Sequence, residues 1–76
     1  MKSSEEVKQI NEGLEHLIQA FNATDPNADI RAEYDNFTET VEAVAYGSEK
    51  RVINVAVDSP LAAMKDIAEG FYHLLY

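Results

Sequence analysis

The chain has no cysteine, only three glycines and two prolines, and only six basic residues. Without cysteine it has neither disulfides nor thiolate zinc sites, the devices that often support domains of this size. Gly13, Gly47 and Gly70 are too scattered to build a phosphate-binding loop. No run approaches the roughly 18 apolar residues that a membrane span needs. The first residues, Met1-Lys2-Ser3-Ser4-Glu5-Glu6, contain no apolar signal region, so cytoplasmic residence is expected. His16 and His73 each fall off the apolar stripe of their segment and have no partner at ligand spacing, so no metal site is expected. No Ser- or Cys-based triad is visible. A glycosidase-type carboxylate pair needs a deep cleft, which a small two-layer domain rarely has. The chain is therefore expected to have no catalytic activity and no cofactor.

The scarcity of basic residues sets the charge. Fourteen acidic residues against six basic ones leave a net charge of −8. That opposes direct binding to nucleic acid, where Lys and Arg contacts to phosphate supply most of the affinity. It opposes binding to anionic membranes as well. The matching partner is a protein with a basic surface.

Residues 30–57 are rich in Val, Ile, Tyr, Phe and Thr, which suit a pleated, half-buried surface. They read as a three-stranded antiparallel meander with strands 30–37, 40–46 and 51–57. Ile53, Val55 and Val57 alternate with Val52, Asn54 and Ala56. In the first strand Ile30, Ala32 and Tyr34 oppose Arg31, Glu33 and Asp35. In the second, Val41, Ala43 and Ala45 oppose Glu42, Val44 and Tyr46, although period alone leaves a one-residue slip open here. Gly47-Ser48-Glu49-Lys50 suits a hairpin loop, and Asn36-Phe37-Thr38-Glu39 a turn.

A helix is expected on either side. The first, about residues 4–21, carries Val7, Ile10, Leu14, Leu17, Ile18 and Phe21 on one stripe. Ser3 and Glu6 form a capping box at its start. Gly13 within it is expected to pack closely on the sheet. Asn22–Asp29, with Pro26, reads as a linker. The second helix, about 59–75, opens on Ser59-Pro60. Its stripe is Leu61, Met64, Ile67, Ala68, Phe71, Leu74 and Leu75.

The fold class is thus α+β: one small two-layer domain, residues 1–76, of αβββα order, with two helices on one face of the sheet. A chain this short buries about 60% of its unfolded surface. The element order is similar to that of the double-stranded-RNA-binding domain. In that domain a lysine cluster opens the second helix, whereas Pro60-Leu61-Ala62-Ala63-Met64-Lys65 supplies one lysine. The likeness is one of topology, which does not fix function.

Three stretches stand out. Between Asp25 and Glu49 lie seven acidic residues and one basic residue, Arg31. With Glu33, Asp35 and Glu42 on the open sheet face, beside Glu39 and Tyr46, this belt is a candidate surface for an Arg/Lys-rich partner. Its plainer explanation is a solvated face that discourages edge-to-edge aggregation. Phe71-Tyr72-His73-Leu74-Leu75-Tyr76 is apolar on more than one side, and Tyr72 with Tyr76 makes a second stripe that could serve self-association into a homodimer. Its plainer explanation is two tyrosines lying flat on the domain. Asp25-Pro26-Asn27-Ala28-Asp29 begins like a calcium loop, but the sixth position is Ile30 and the twelfth Asn36, so it reads as an Asx-rich turn.

The preferred expectation is a small acidic protein-binding module, an inhibitor or adaptor of the kind phages and mobile elements carry, docking through Glu33, Asp35, Glu39, Glu42 and Tyr46. Mimicry of nucleic acid falls within it. The alternative is a structural homo-oligomer built on Tyr72 and Tyr76.

Overall fold

A computed structural model describes residues 1–55 and 59–76. The chain is an α+β domain of αβββα order: α1 (Ser4–Thr24), β1 (Arg31–Asp35), β2 (Thr40–Val44), β3 (Arg51–Asn54) and α2 (Pro60–Leu75). The sheet is antiparallel, in the order β1-β2-β3. α1 packs on β1, α2 on β2 and β3, and the two helices on each other.

Both helices start where capping chemistry starts them. Ser3 Oγ accepts the Glu6 N–H at 3.2 Å, and the Ser3 N–H donates back to Glu6 Oε1 at 3.2 Å. Ser59 Oγ accepts the Ala62 N–H at 3.2 Å, with Pro60 at the first helical position. The far end of α1 runs three residues beyond the expected Phe21. Pro26 restricts only the residue before it, so Asn22, Ala23 and Thr24 stay helical. Thr24 Oγ1 donates to Phe21 O at 2.9 Å, and the Asp25 N–H closes the last turn on the same carbonyl at 3.0 Å.

The register of β2 is the one that buries Val41, Ala43 and Ala45, and the slip does not occur. Each strand is shorter than its apolar pattern. β1 stops at Asp35, whose Oδ1 accepts the Phe37 N–H at 2.8 Å and turns the chain, leaving Phe37 exposed. β2 stops at Val44, after which Ala45 remains buried; Ala45 O accepts the Ser48 N–H at 3.0 Å. Gly47, at φ 78°, closes that turn. β3 stops at Asn54, and the expected strand positions Ala56 and Val57 lie outside the described residues. Ahead of β1, the Tyr46 N–H reaches Ala28 O at 2.7 Å, one residue out of step with the Arg31–Val44 pairing. Asp29, at φ 45°, absorbs the extra residue as a bulge would.

The core is one cluster between sheet and helices. Phe71, Ile10, Ile30, Ile67, Val41 and Val55 are its largest fully buried members. Phe21 meets Phe71 edge-on, with centroids 5.5 Å apart. Two expectations are corrected. Leu61 is 81% exposed rather than part of the stripe, because six positions before Ile67 it lies about 120° around the helix from it. Gly13 packs against α2, not the sheet: a Cβ there would meet the Met64 side chain.

Asn22 ties α1 to the sheet in a way no apolar pattern reveals. Its Oδ1 accepts the Ile30 N–H at 2.8 Å and its Nδ2 donates to Ile30 O at 3.2 Å. Asn22→Ala leaves both backbone groups of a buried residue unpaired. It should lower stability by about 2 kcal/mol, read as an earlier urea midpoint with an unchanged slope.

Candidate functional site

The candidate site is the sheet face away from the helices. Period-2 alternation places Arg31, Glu33 and Asp35 of β1, Thr40, Glu42 and Val44 of β2, and Val52 and Asn54 of β3 on it. The register aligns them in rows. Asp35, Thr40 and Asn54 form one, and Glu33, Glu42 and Val52 the next, with Arg31 opposite Val44 beyond. Glu33 and Glu42 are therefore direct cross-strand neighbours of like charge. Such a pairing destabilises a sheet.

Two open depressions, of ≈ 290 Å³ and ≈ 310 Å³, flank this pair, and both are lined by Glu33 and Glu42. The first also takes in Arg31, Val44 and Lys50; the second takes in Tyr34, Asp35 and Asn36. The two cations are partly engaged. Lys50 Nζ lies 3.5 Å from Glu42 Oε1, and Arg31 lies 3.4 Å from Asp29. Asp35 is turned to its own loop, where it accepts the Phe37 and Thr38 N–H groups. Glu33 makes no ion pair or hydrogen bond with a described residue. Exposed apolar groups border the carboxylates: Val44, Val52 and, past the end of β2, Tyr46.

The structure thus brings Glu33, Asp35 and Glu42 together, with Tyr46 at the margin, and sets Glu39 apart. Glu39 sits in the β1–β2 turn at φ 54°, and its carboxylate is held by the Met1 ammonium and, at 3.8 Å, by Lys2 Nζ. The Lys2 side chain is largely covered, and its Nζ also donates to Val55 O at 3.0 Å. The Lys2 backbone and the Asn36 carboxamide exchange two hydrogen bonds, at 3.0 and 3.1 Å. Glu39 is therefore part of the clasp that fixes the first residues to the sheet. Alternation alone places Val44 and Tyr46 on this face with the carboxylates; the paired cations and the place of Val52 beside Glu42 are not legible in sequence. Val52 and Lys50 become neighbours of Glu42 only through the β2–β3 register.

The hydrogen bond from the terminal ammonium, aided by the nearby Lys2 charge, holds the Glu39 carboxyl below its ordinary value of 4.5. The Ser3 backbone and hydroxyl groups lower Glu6 in the same way. A carboxyl depressed in the fold contributes stability above its unfolded value and loses it as pH falls through the folded value. Glu39→Gln should therefore be less stable than the parent near neutrality and converge with it as pH drops below 4.5. Thermal melts across that range check this; a gap that stays constant would contradict it. Tyr34 is shifted upward, by burial first and then by Glu39, Asp35 and Glu6. Its hydroxyl donates to Asn36 Oδ1 at 3.1 Å.

At the other end of the molecule, Tyr72 and Tyr76 are both exposed, with ring centroids 5.1 Å apart. Leu61 lies on the same side of α2, eleven residues or about three turns before Tyr72. Asp25 Oδ1 accepts the Asn27 N–H at 3.3 Å, an Asx turn. Among the described residues no group of three or more His, Cys, Asp or Glu is placed to hold a metal ion, and no helix is long and apolar enough to cross a membrane.

Compared with protein-family models, curated proteins and solved structures, the chain matches none.

Proposed function

We propose that this chain is a small acidic protein-binding module, an inhibitor or adaptor, whose open sheet face docks onto a basic site of a partner protein. The observation that carries the reading is the Glu33–Glu42 pair, two carboxylates directly opposed on an uncovered face. Their repulsion is relieved when a partner's Lys or Arg sits between them, so docking is favoured by the same contact that weakens the free sheet. Val44, Val52 and Tyr46 supply apolar area around the ion pairs, and burying it excludes water from them. Glu33, Glu42 and Asp35 could stand in for a run of phosphates, which makes a nucleic-acid-binding protein one fitting target. The net charge of −8 steers such an encounter. The association rate with the partner should fall at least tenfold between about 50 and about 500 mM salt. A rate indifferent to salt would overturn the electrostatic mechanism.

A second reading, a homo-oligomer assembled through α2, rests on the exposed stripe of Leu61, Tyr72 and Tyr76. It predicts a dimer that Tyr72→Glu converts to a monomer; light scattering that finds a monomer at high micromolar concentration removes it.

A further inference from the structure

The outer edge of β3 offers a surface separate from the open face. The Val55 N–H donates to Glu39 O at 3.1 Å, in step with the β2–β3 register. Antiparallel ladders alternate, so Ile53 and Arg51 also turn their N–H and C=O groups toward β2. Those of Val52 and Asn54 point away from the sheet, and no described residue hydrogen-bonds to them. Beside this edge runs a groove of ≈ 240 Å³, walled by residues Arg51 to Asn54 of β3 and by Asp66, Glu69, Gly70 and His73 of α2. An open strand edge is satisfied by another extended backbone. In an added strand, side chains on the helix side would face Asp66 and Glu69, which share one face of α2 at a spacing of three. Side chains on the other side would extend the row that ends in Val52. Asp66 makes no ion pair or hydrogen bond with a described residue, and Glu69 has only a 4.0 Å contact with Lys65. Against the one guanidinium that lines the groove, Arg51, these two carboxylates select a cationic segment. The net charge of −8 works against a second copy of the chain as the occupant.

We propose that the β3 edge accepts an extended segment of a partner protein by strand addition, the segment carrying Lys or Arg at alternate positions facing α2. This inference does not rest on the open-face reading, since its carboxylates are Asp66 and Glu69 rather than Glu33, Asp35 and Glu42.

The test is an amide-shift titration of the full chain with an end-capped peptide, Lys-Thr-Lys-Val-Lys-Thr, at about 150 mM salt, where attraction between charges more than about 8 Å apart is largely screened and direct contacts remain. Shifts should concentrate on Val52–Asn54 and the facing turns of α2. The same peptide N-methylated at alternate amides keeps its charge but cannot complete the ladder; it should bind at least tenfold more weakly. Asp66→Lys with Glu69→Lys should cause a similar loss. So should Val52→Pro, which removes an outward N–H and leaves the ladder to β2 intact. Glu33→Lys with Glu42→Lys should leave the affinity within about threefold. Equal binding of the N-methylated peptide would overturn the proposal, as would shifts confined to the open face or none at millimolar peptide. A β3-to-β3 dimer that the peptide does not displace would overturn it too.

Discussion

Phe71→Ala should cost about 3–5 kcal/mol, the usual range for emptying a fully buried aromatic site. Phe71 has no exposed surface and carries the edge-on contact with Phe21, so its ring joins α2 to α1 as well as to the core. At roughly 0.05–0.15 kcal/mol per residue, a chain of this length has only about 4–11 kcal/mol in total. The substitution should therefore remove roughly a quarter of the stability at least, and in the lower part of that range all of it. Far-UV circular dichroism against urea will show it: the midpoint should fall sharply, with some chains unfolded before denaturant is added. A loss below about 1 kcal/mol would mean that the α1–α2 contact is not where the core is consolidated.

Gly70→Ala should be damaging by overpacking, at about 1–3 kcal/mol. Alanine is ordinarily favoured over glycine inside a helix by about 1 kcal/mol, so propensity alone predicts the opposite sign. Packing decides the matter. A Cβ on Gly70 would overlap Ile53 Cδ1 and lie 2.6 Å from Cγ1 and 3.3 Å from Cγ2. Ile53 is branched, buried and part of the β3 ladder, so it cannot step aside and α2 must be pushed off the sheet. Gly13→Ala is the internal control. Its Cβ would meet the flexible end of Met64, which can change rotamer, so the propensity gain should leave that variant neutral or slightly stabilised. Denaturant melts of the two variants should move in different directions. Ile53→Val in the Gly70→Ala background should recover part of the loss, because it removes the Cδ1 methyl from the contact.

The pair of glycines also marks where the sequence was legible. Alternation and capping were enough to place five elements in order, to put both helices on one face of the sheet and to bury Val41, Ala43 and Ala45, because each rests on local chemistry or a single period. Gly13 and Gly70 look alike in the sequence, yet one faces a flexible thioether and the other a β-branched side chain. Nothing within four residues of either encodes that difference. Asn22 read as the end of a helix, and its pairing with Ile30 becomes visible only once the chain has doubled back. Leu61 is spaced by three from Met64 and so matches the stripe in sequence, yet its angle around the helix carries it to the exposed side.

The candidate site was legible in the same uneven way. Glu33, Asp35 and Glu42 share a face because they share a parity within their strands. Glu39 belongs with them only by proximity in the chain. Its turn at positive φ aims its carboxylate at the first residues instead, and a count of acidic residues cannot foresee that. The direct opposition of Glu33 and Glu42 follows from register, which fixes pairing residue by residue and which composition does not carry.

The central claim, docking of the open acidic face onto a basic partner, is most directly tested by affinity capture from lysate of the source cells with two baits side by side. One is the wild-type chain with its tag joined to the C-terminus by a long flexible linker, which leaves the Met1–Glu39 contact intact. The other carries Glu33→Lys, Asp35→Lys and Glu42→Lys and is first shown by circular dichroism to be folded. The account predicts a protein with a basic surface, captured by the first bait and absent from the second. The same protein held equally by both baits would contradict it, and would place the binding surface elsewhere on the molecule.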